Sequence, residues 1–248
     1  MKKILVIGFG VFSYLFFAAA FVYAIGFLSN AMVNKSIDRG VVHPGLGSLL
    51  VDFALLGLFA IQHSGMARRS FKSWEKKILP EPLQRSTFVL LASLSLALLF
   101  WQWRPLPALI WEVEAAWVRG LIWTMFAIGW VVVLASTFLI SHTHMFGLKQ
   151  VWAYFKGKDV PELGFQTRGL YRYVRHPLYL GMLIAFWATP AMTVGHLVFA
   201  LAANGYILLG ARLEERDLLL AFGKVYSQYS KRVSMLIPGL KGGIRQSD

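Results

Sequence analysis

No cysteine occurs anywhere in the chain. Disulfides, thiolate metal sites and a cysteine nucleophile are therefore excluded, and the redox compartment is left unmarked. Acidic residues are scarce too: 12 Asp and Glu stand against 25 Lys and Arg, a formal net charge of +13. Charged residues make up only 15% of the chain, where roughly 25% is usual for a soluble domain. No internal repeat or low-complexity segment is present, which argues against a transporter built from two related halves.

What fills the chain instead is apolar. Hydrophobic residues reach 57% of 248 positions, so the sequence reads as an all-α integral membrane protein. Six spans of about 20 residues with their connections would consume nearly all of it, which predicts a single domain over 1–248 and leaves no room for a separate soluble one. The basic excess raises the question of nucleic acid. Its placement answers that question in favour of a membrane, as counted below.

Lys2 and Lys3 lead into an apolar run from Ile4 to Leu28. That run outlasts the h-region of a signal peptide, about 7–15 residues, and is expected to be an uncleaved first span. Ser29–Leu46 is a polar connection ending in His-Pro-Gly-Leu-Gly. Gly47–Ile61 is expected as the second span, followed by Gln62, His63 and Ser64. Lys72–Arg85 reads as a basic loop in which Pro80 and Pro82 block a helix. Phe88–Trp101 and Leu121–Ile140 are the third and fourth spans, with Trp101, Trp103, Trp111 and Trp117 as interfacial belt residues between them. Val151–Arg168 is amphiphilic and suits the headgroup layer. Leu178–Ala188 and Thr193–Leu209 make a C-terminal helical hairpin whose first arm is shorter than a full span.

Alternating helices with a cytoplasmic N-terminus would give that side Lys2 and Lys3, six cations from Arg68 to Arg85, six from Lys149 to Arg175 and seven from Arg212 onward. The other side receives Lys35, Arg39, Arg104 and Arg119, a split of 21 to 4. Both termini are thus expected in the cytoplasm.

This arrangement brings His63, His142, His144 and His176 to one membrane surface with Arg175, Glu214 and Glu215. Ionisable groups from several helices at one depth are costly to hold near hydrocarbon and point to a site. Glu214 and Glu215 are expected at the end of the last span, where a carboxylate opposes the helix dipole. His43 and His196 fall on the far side as interfacial residues. Leu219, Phe222, Tyr226 and Tyr229 recur at intervals of three and four, one aromatic stripe that either packs a core or walls an adenine ring or sulfonium cation.

Arg175-His176-Pro177-Leu178-Tyr179-Leu180-Gly181, a hairpin, and then Glu214-Glu215 with Phe222-Gly223, Tyr226 and Tyr229 resemble the signature of the isoprenylcysteine carboxyl-methyltransferase-like superfamily. The likeness covers about the last third of the chain. Gln62-His63-Ser64-Gly65-Met66-Ala67-Arg68 and His142-Thr143-His144-Met145-Phe146-Gly147-Leu148 are similar to the bacterial branch that methylates methanethiol to dimethyl sulfide, and that branch resembles membrane proteins linked to denitrification. The resemblance implies S-adenosyl-L-methionine as methyl donor, held by Tyr173, Arg175, His176, Pro177, Tyr179, Gly181, Glu214 and Glu215. In it, Glu214 or Glu215 takes the donor's ammonium or ribose hydroxyls, and Arg175 or His176 its carboxylate. The implied partners are a small thiol substrate and the lipid bilayer, with no nucleic acid and no metal. No Gly-rich loop follows a strand, in keeping with an architecture distinct from soluble methyltransferases.

The chemistry suits such a site. A sulfonium and a thiolate become two neutral sulfides, so a water-excluded pocket that strips both ions of hydration favours the transition state. The acceptor must first lose a proton, because free thiols titrate at roughly 8.5 or above. A neutral imidazole can take it, which makes His144, His142 and His63 the candidate bases, in that order. Two other readings compete: a larger lipid or prenylated acceptor, and a membrane haem or metal protein ligated by His63, His142, His144 or His176.

Overall fold

A computed structural model describes residues 2–43, 45–161 and 163–240. Lys241 and Arg245, two of the C-terminal cations counted above, lie outside the described residues, as does Pro44 of the His43–Gly47 segment. In chain order the helices are α1 (Lys2–Ser29), α2 (Leu46–Ala67), α3 (Arg69–Glu75), α4 (Glu81–Gln102), α5 (Ala116–Ile140), α6 (His142–Met145), α7 (Leu148–Lys156), α8 (Pro177–Trp187), α9 (Val194–Phe222) and α10 (Lys224–Arg232). Two short strands, β1 (Leu109–Glu112) and β2 (Ala191–Thr193), and a 3₁₀ helix at Gly169–Arg172 complete the regular structure.

Five helices, α1, α2, α4, α5 and α9, are long and apolar enough to cross a bilayer, and the protein is an integral membrane protein. Helix α8 has 11 residues, about 16 Å of rise, and falls short of a hydrocarbon core about 30 Å thick. It begins with Pro177 at its first position, where the missing N–H costs nothing. The outward faces are apolar, with Leu5, Leu15, Val131 and Phe138 all exposed, as a lipid-facing surface requires. Of the tryptophans expected in an aromatic belt, Trp101, Trp111 and Trp117 are exposed, but Trp103 is buried and donates its indole N–H to the Ile37 carbonyl at 3.0 Å, and His196, also expected at the interface, is buried.

The chain divides into two compact units. The first takes Met1–Glu112, His142–Pro161 and Ala191–Phe199. Within it α1 and α2 both pack on α4, and α7 lies against α1 and α4. The inward faces carry small polar residues: Ser13, Ser48, Ser86 and Ser93 are fully buried. Ser13 and Ser93 each donate to the carbonyl four residues back, at 2.8 Å, so neither hydroxyl is left unsatisfied in an apolar interior. Gly10 gives α7 its seat on α1, since a Cβ there would lie 2.7 Å from a methyl of Val151. Strand β1 pairs antiparallel with β2.

The second unit takes Val113–Ser141, Glu162–Pro190 and Ala200–Asp248. Its central contact is α5 on α8, and glycines make it possible. A Cβ on Gly129 would stand 2.7 Å from the backbone nitrogen of Ala185, and one on Gly181 would stand 2.6 Å from the backbone oxygen of Gly129. Backbone cannot yield as a side-chain tip can, so small residues at this crossing are obligatory. Gly129→Ala is expected to cost about 1–3 kcal/mol by overpacking. A thermal unfolding scan in detergent checks this as a drop in Tm of several degrees, while Gly205→Ala, at an open position, should leave Tm in place.

Three expectations need correction. Lys72–Arg85 is not a loop: α3 ends at Glu75, and α4 already begins at Glu81, with Pro82 tolerated in its first turn. Glu214 and Glu215 do not end the last span, because α9 continues about two turns further to Phe222. The aromatic stripe is not on one helix. Gly223 sits at φ 52 and ψ −124, a conformation open to glycine alone, and separates Phe222 on α9 from Tyr226 and Tyr229 on α10. The small sheet was not foreseen either, because four residues rich in Trp and Ile beside two prolines look like any interfacial connection.

Candidate active site

The polar centre of the second unit starts from a backbone pairing. Val174 bridges Ser234 in parallel. The N–H groups of Arg175 and His176 donate to the carbonyls of Ser234 and Met235 at 2.8 and 3.1 Å. The segment after α10 is thus laid alongside the residues that enter α8, and it fixes where the two side chains start. Pro177 follows immediately and confines His176 to an extended-type backbone, φ −125 and ψ 66.

From there the Arg175 guanidinium turns inward and is 4% exposed. Its Nε donates to Glu215 Oε1 at 2.5 Å, and its Nη1 donates to the carbonyls of Ser230 and Val233 at 2.6 and 2.9 Å. His176, 5% exposed, brings Nε2 to 3.3 Å from the same carboxylate oxygen. Its other ring nitrogen lies 3.7 Å from Glu214 Oε2, which also accepts the Tyr179 hydroxyl at 2.9 Å. The rings of His176 and Tyr179 stack at 5.4 Å.

The glutamates are thus unequal. Glu215 is buried and shared between a guanidinium and an imidazole, whereas the Glu214 side chain remains 48% exposed. A buried carboxylate with charge-assisted partners on two sides is a frame; a half-open one beside a tyrosine and a histidine can take a cationic or hydroxyl-bearing ligand. Phe165, from the stretch before α8, gathers the aromatics of α9 and α10 around it, with ring centroids 5.3 Å from Phe222, 5.7 Å from Tyr226 and 5.1 Å from Tyr229. Tyr229 donates to the Tyr171 carbonyl at 2.6 Å, and burial, partly countered by Arg175, pushes its phenol up to about 12. Burial and the Glu215 charge raise the Tyr226 phenol as well. Both therefore stay protonated at neutral pH.

Of the predicted donor-site residues, the structure brings Arg175, His176, Tyr179, Glu214 and Glu215 together. Pro177 is buried at the α8 start and Gly181 is turned to α5. Tyr173 projects outward, 69% exposed.

The three candidate bases lie in the first unit. His142 is occupied: its Nε2 is 2.9 Å from the Tyr14 hydroxyl, and its ring meets Phe146 at 4.7 Å. His63 sits inside α2, further in than expected, between Phe59 at 5.3 Å and Phe88 at 5.0 Å, with Nδ1 buried and unpartnered. His144 uses its carbonyl to accept from Gln150 at 3.0 Å. Burial first, then the charges of Lys149 and Arg85, hold the His144 imidazole below its ordinary value, and burial does the same for His142. Each is therefore neutral at pH 7, the form that accepts a proton. Among the described residues no group of three or more His, Asp and Glu could hold a metal ion.

Two structural features, one in each unit, escaped the sequence reading. One is the Ser230–Met235 segment, which acts through carbonyls and so leaves no trace in residue type. The other is Arg85, read as a loop cation but standing in α4 with its Nε donating to the Met145 carbonyl at 2.5 Å.

Residues 53–215 match the NnrU protein family. The chain belongs to that family. The NnrU match takes in all three candidate bases and ends at Glu215, so Ser230–Met235, the C-terminal strap that runs beside Arg175 and His176, lies beyond it. The chain is 50% identical over 238 residues to a protein of Mycobacterium tuberculosis named methanethiol S-methyltransferase, covering 96% of this chain and 98% of that one. A protein of the same name from Crocosphaera subtropica is 47% identical over 238 residues, covering 96% and 93%. Nurim of Mus musculus is 30% identical over 189 residues, covering 73% and 70%. No solved structure matches this NnrU chain.

Proposed function

We propose that this protein transfers a methyl group from S-adenosyl-L-methionine to methanethiol, giving dimethyl sulfide, with all 248 residues acting as one methyltransferase domain. The observation that carries the reading is the identity of about half over nearly the whole of both chains to proteins named for that reaction. The donor supplies an electrophilic methyl on a sulfonium.

The residues present suit such a donor. Glu214, half-open beside Tyr179 and His176, offers an anion for the donor's ammonium or ribose hydroxyls. Arg175 is committed to Glu215 and to the backbone of the C-terminal strap, so its part is to hold His176 and the carboxylates in place. Tyr173, Pro177 and Gly181 complete the stretch assigned to donor binding. The protein excludes water, orients the donor and removes the thiol proton, the last through a neutral histidine among His144, His142 and His63. Methanethiol offers one methyl for binding, worth about 1 kcal/mol or less. Selectivity therefore rests on excluding larger thiols.

The charge split of the sequence supports cytoplasmic termini and a site opening to the cytoplasmic side, and the bacterial relatives support an inner-membrane location. The test is direct. Purified protein in detergent is incubated with the donor and, separately, methanethiol, longer thiols and lipid amines, and the headspace is analysed by gas chromatography. Dimethyl sulfide from methanethiol and little turnover of the longer thiols is the expected result. A product from lipid amines alone would overturn it.

A further inference from the structure

A groove of about 520 Å³ opens on the surface of the first unit, lined chiefly by Ile7 and Val11 of α1, Thr143 of α6, and Leu148, Lys149 and Trp152 of α7. Apart from one hydroxyl and one ammonium, those of Thr143 and Lys149, its walls are apolar. Val11 and Trp152 are exposed, so the groove is open from outside. Its shape follows from how α7 lies on α1. Gly10 admits Val151, and the Lys3 ammonium donates to the Phe155 carbonyl at 3.2 Å, so the last turn of α7 stands beside the start of α1.

Helix α1 has 28 residues, about 42 Å of rise against a hydrocarbon core about 30 Å thick. Lys2 and Lys3 keep its first turn among the headgroups. Ile7 and Val11 stand about 8 and 14 Å along the axis from Lys2, so the groove straddles the level where headgroups give way to acyl chains. The charge beside it has one sign. Neither α1 nor the stretch from His142 to Lys156 contains an Asp or Glu, whereas Lys2, Lys3, Lys149 and Lys156 all belong to it. Asp159 is the first acidic residue beyond α7. Lys149 also stands in the first turn of α7, where the positive end of the helix dipole disfavours a cation, and an anion in the groove offsets that cost. Lys156 lies over the Trp152 ring at 5.1 Å, so that indole is already engaged by a cation.

We propose that this groove binds an anionic phospholipid, with an acyl chain along Ile7, Val11, Leu148 and Trp152 and the phosphodiester held by the Lys149 ammonium and the Thr143 hydroxyl. A free anion would leave the apolar walls uncovered, and an uncharged lipid would leave Lys149 without a counterion; an anionic lipid satisfies both. An amine-bearing headgroup fits less well, because no carboxylate on α1, α6 or α7 meets the amine and Lys156 occupies the indole. A headgroup whose only charge is its phosphodiester, such as phosphoglycerol, fits. Every lining residue belongs to the first unit, and the inference does not rest on methyl transfer. Its structural consequence is that the bound lipid bridges α1 and α7 and sets the depth of α7 in the membrane.

The experiment places the full-length protein in nanodiscs of phosphatidylcholine with about a tenth phosphatidylglycerol, transfers it to detergent, and counts the lipid retained per chain by native mass spectrometry, with Tm measured alongside. Wild type should keep one phosphatidylglycerol in preference to phosphatidylcholine, and added phosphatidylglycerol should raise Tm, since a ligand of the folded state stabilises it. Lys149→Ala should lower the preference about fivefold, the contribution of one lysine beside an anionic lipid surface. Val11→Trp, which fills the groove and leaves the cation, should lose the retained lipid whatever its headgroup. Lys77→Ala, a cation outside α1, α6 and α7, should change nothing. Should Lys149→Ala or Val11→Trp fail to fold, Lys149→Gln is the deciding variant and should show the fivefold fall. Equal retention of both lipids by the wild type, or a preference that survives Lys149→Ala or Lys149→Gln, would overturn the proposal. So would inorganic phosphate binding at Lys149 with no lipid retained, which makes it a free-anion site, and so would a lipid-free dimer that buries Val11 and Trp152, which assigns the groove to a second copy. None of these outcomes reads methyl transfer, so the failure of this proposal leaves the functional reading standing.

Discussion

Glu215→Ala is expected to abolish methyl transfer and to destabilise the second unit by about 3–5 kcal/mol, the usual cost of leaving a buried charge without its partner. Arg175 and Glu215 side chains are 1% and 6% exposed, so water cannot replace the lost carboxylate. The damage spreads because Arg175 also carries the carbonyls of Ser230 and Val233. A guanidinium drawn toward solvent would release the strap that positions Arg175 and His176 through their own backbones. Tm in detergent should fall sharply, and trypsin should cut after Lys231 or Arg232 much faster than in the wild type. The double variant Arg175→Ala/Glu215→Ala separates charge burial from ligand binding. Removing both ions should restore a good part of the stability, with a coupling energy of roughly 1–3 kcal/mol, but not the activity. Additive losses in the double variant would show that the pair does not act as a unit.

The sequence displays this architecture unevenly, for physical reasons. Helices α1 and α5 were legible because their apolar runs are unbroken and nothing else buries so much hydrocarbon surface. The short α8 was legible because Pro177 and Pro190 bracket it. The convergence of Arg175, His176 and the two glutamates followed from one fact, that charged ends flanking an apolar hairpin must meet. The division of labour inside that cluster was not legible. Which glutamate is framed and which is open depends on a rotation of about 100° between adjacent helical positions, and that depends on packing. Prolines misled at Pro80 and Pro82 because the rule against Pro holds inside a helix, not in its first turn, where α4 places Pro82. Gly223 misled in the opposite direction: a period of three and four ran straight through it, although the backbone there turns to φ 52. Arg85 was counted among topology-setting cations, since a charge census is blind to which carbonyl a cation reaches.

Glu214→Gln should separate donor binding from folding where Glu215→Ala confounds them. The amide is isosteric with the carboxylate and its oxygen can still accept the Tyr179 hydroxyl, so the local geometry survives while the charge does not. Because the Glu214 side chain is 48% exposed, its ion pairing adds little to stability, about 0–1 kcal/mol at most, and Tm should stay within a degree or two of wild type. A hydrogen bond to a charged group is worth roughly 1.5–3 kcal/mol, so affinity for the proposed donor should fall on the order of 10–100-fold by calorimetry. Tyr179→Phe removes the hydroxyl that orients Glu214 and leaves the charge; its loss in affinity should be the smaller of the two. The ordering is the informative part. If the open carboxylate grips the donor, charge removal at 214 weakens binding with Tm intact, and the KM for donor rises while thiol saturation is unaltered. Donor affinity left at the wild-type level by Glu214→Gln would instead assign the half-open glutamate to the protein surface, and would move the search for the donor's cationic end to the Phe165 aromatic group.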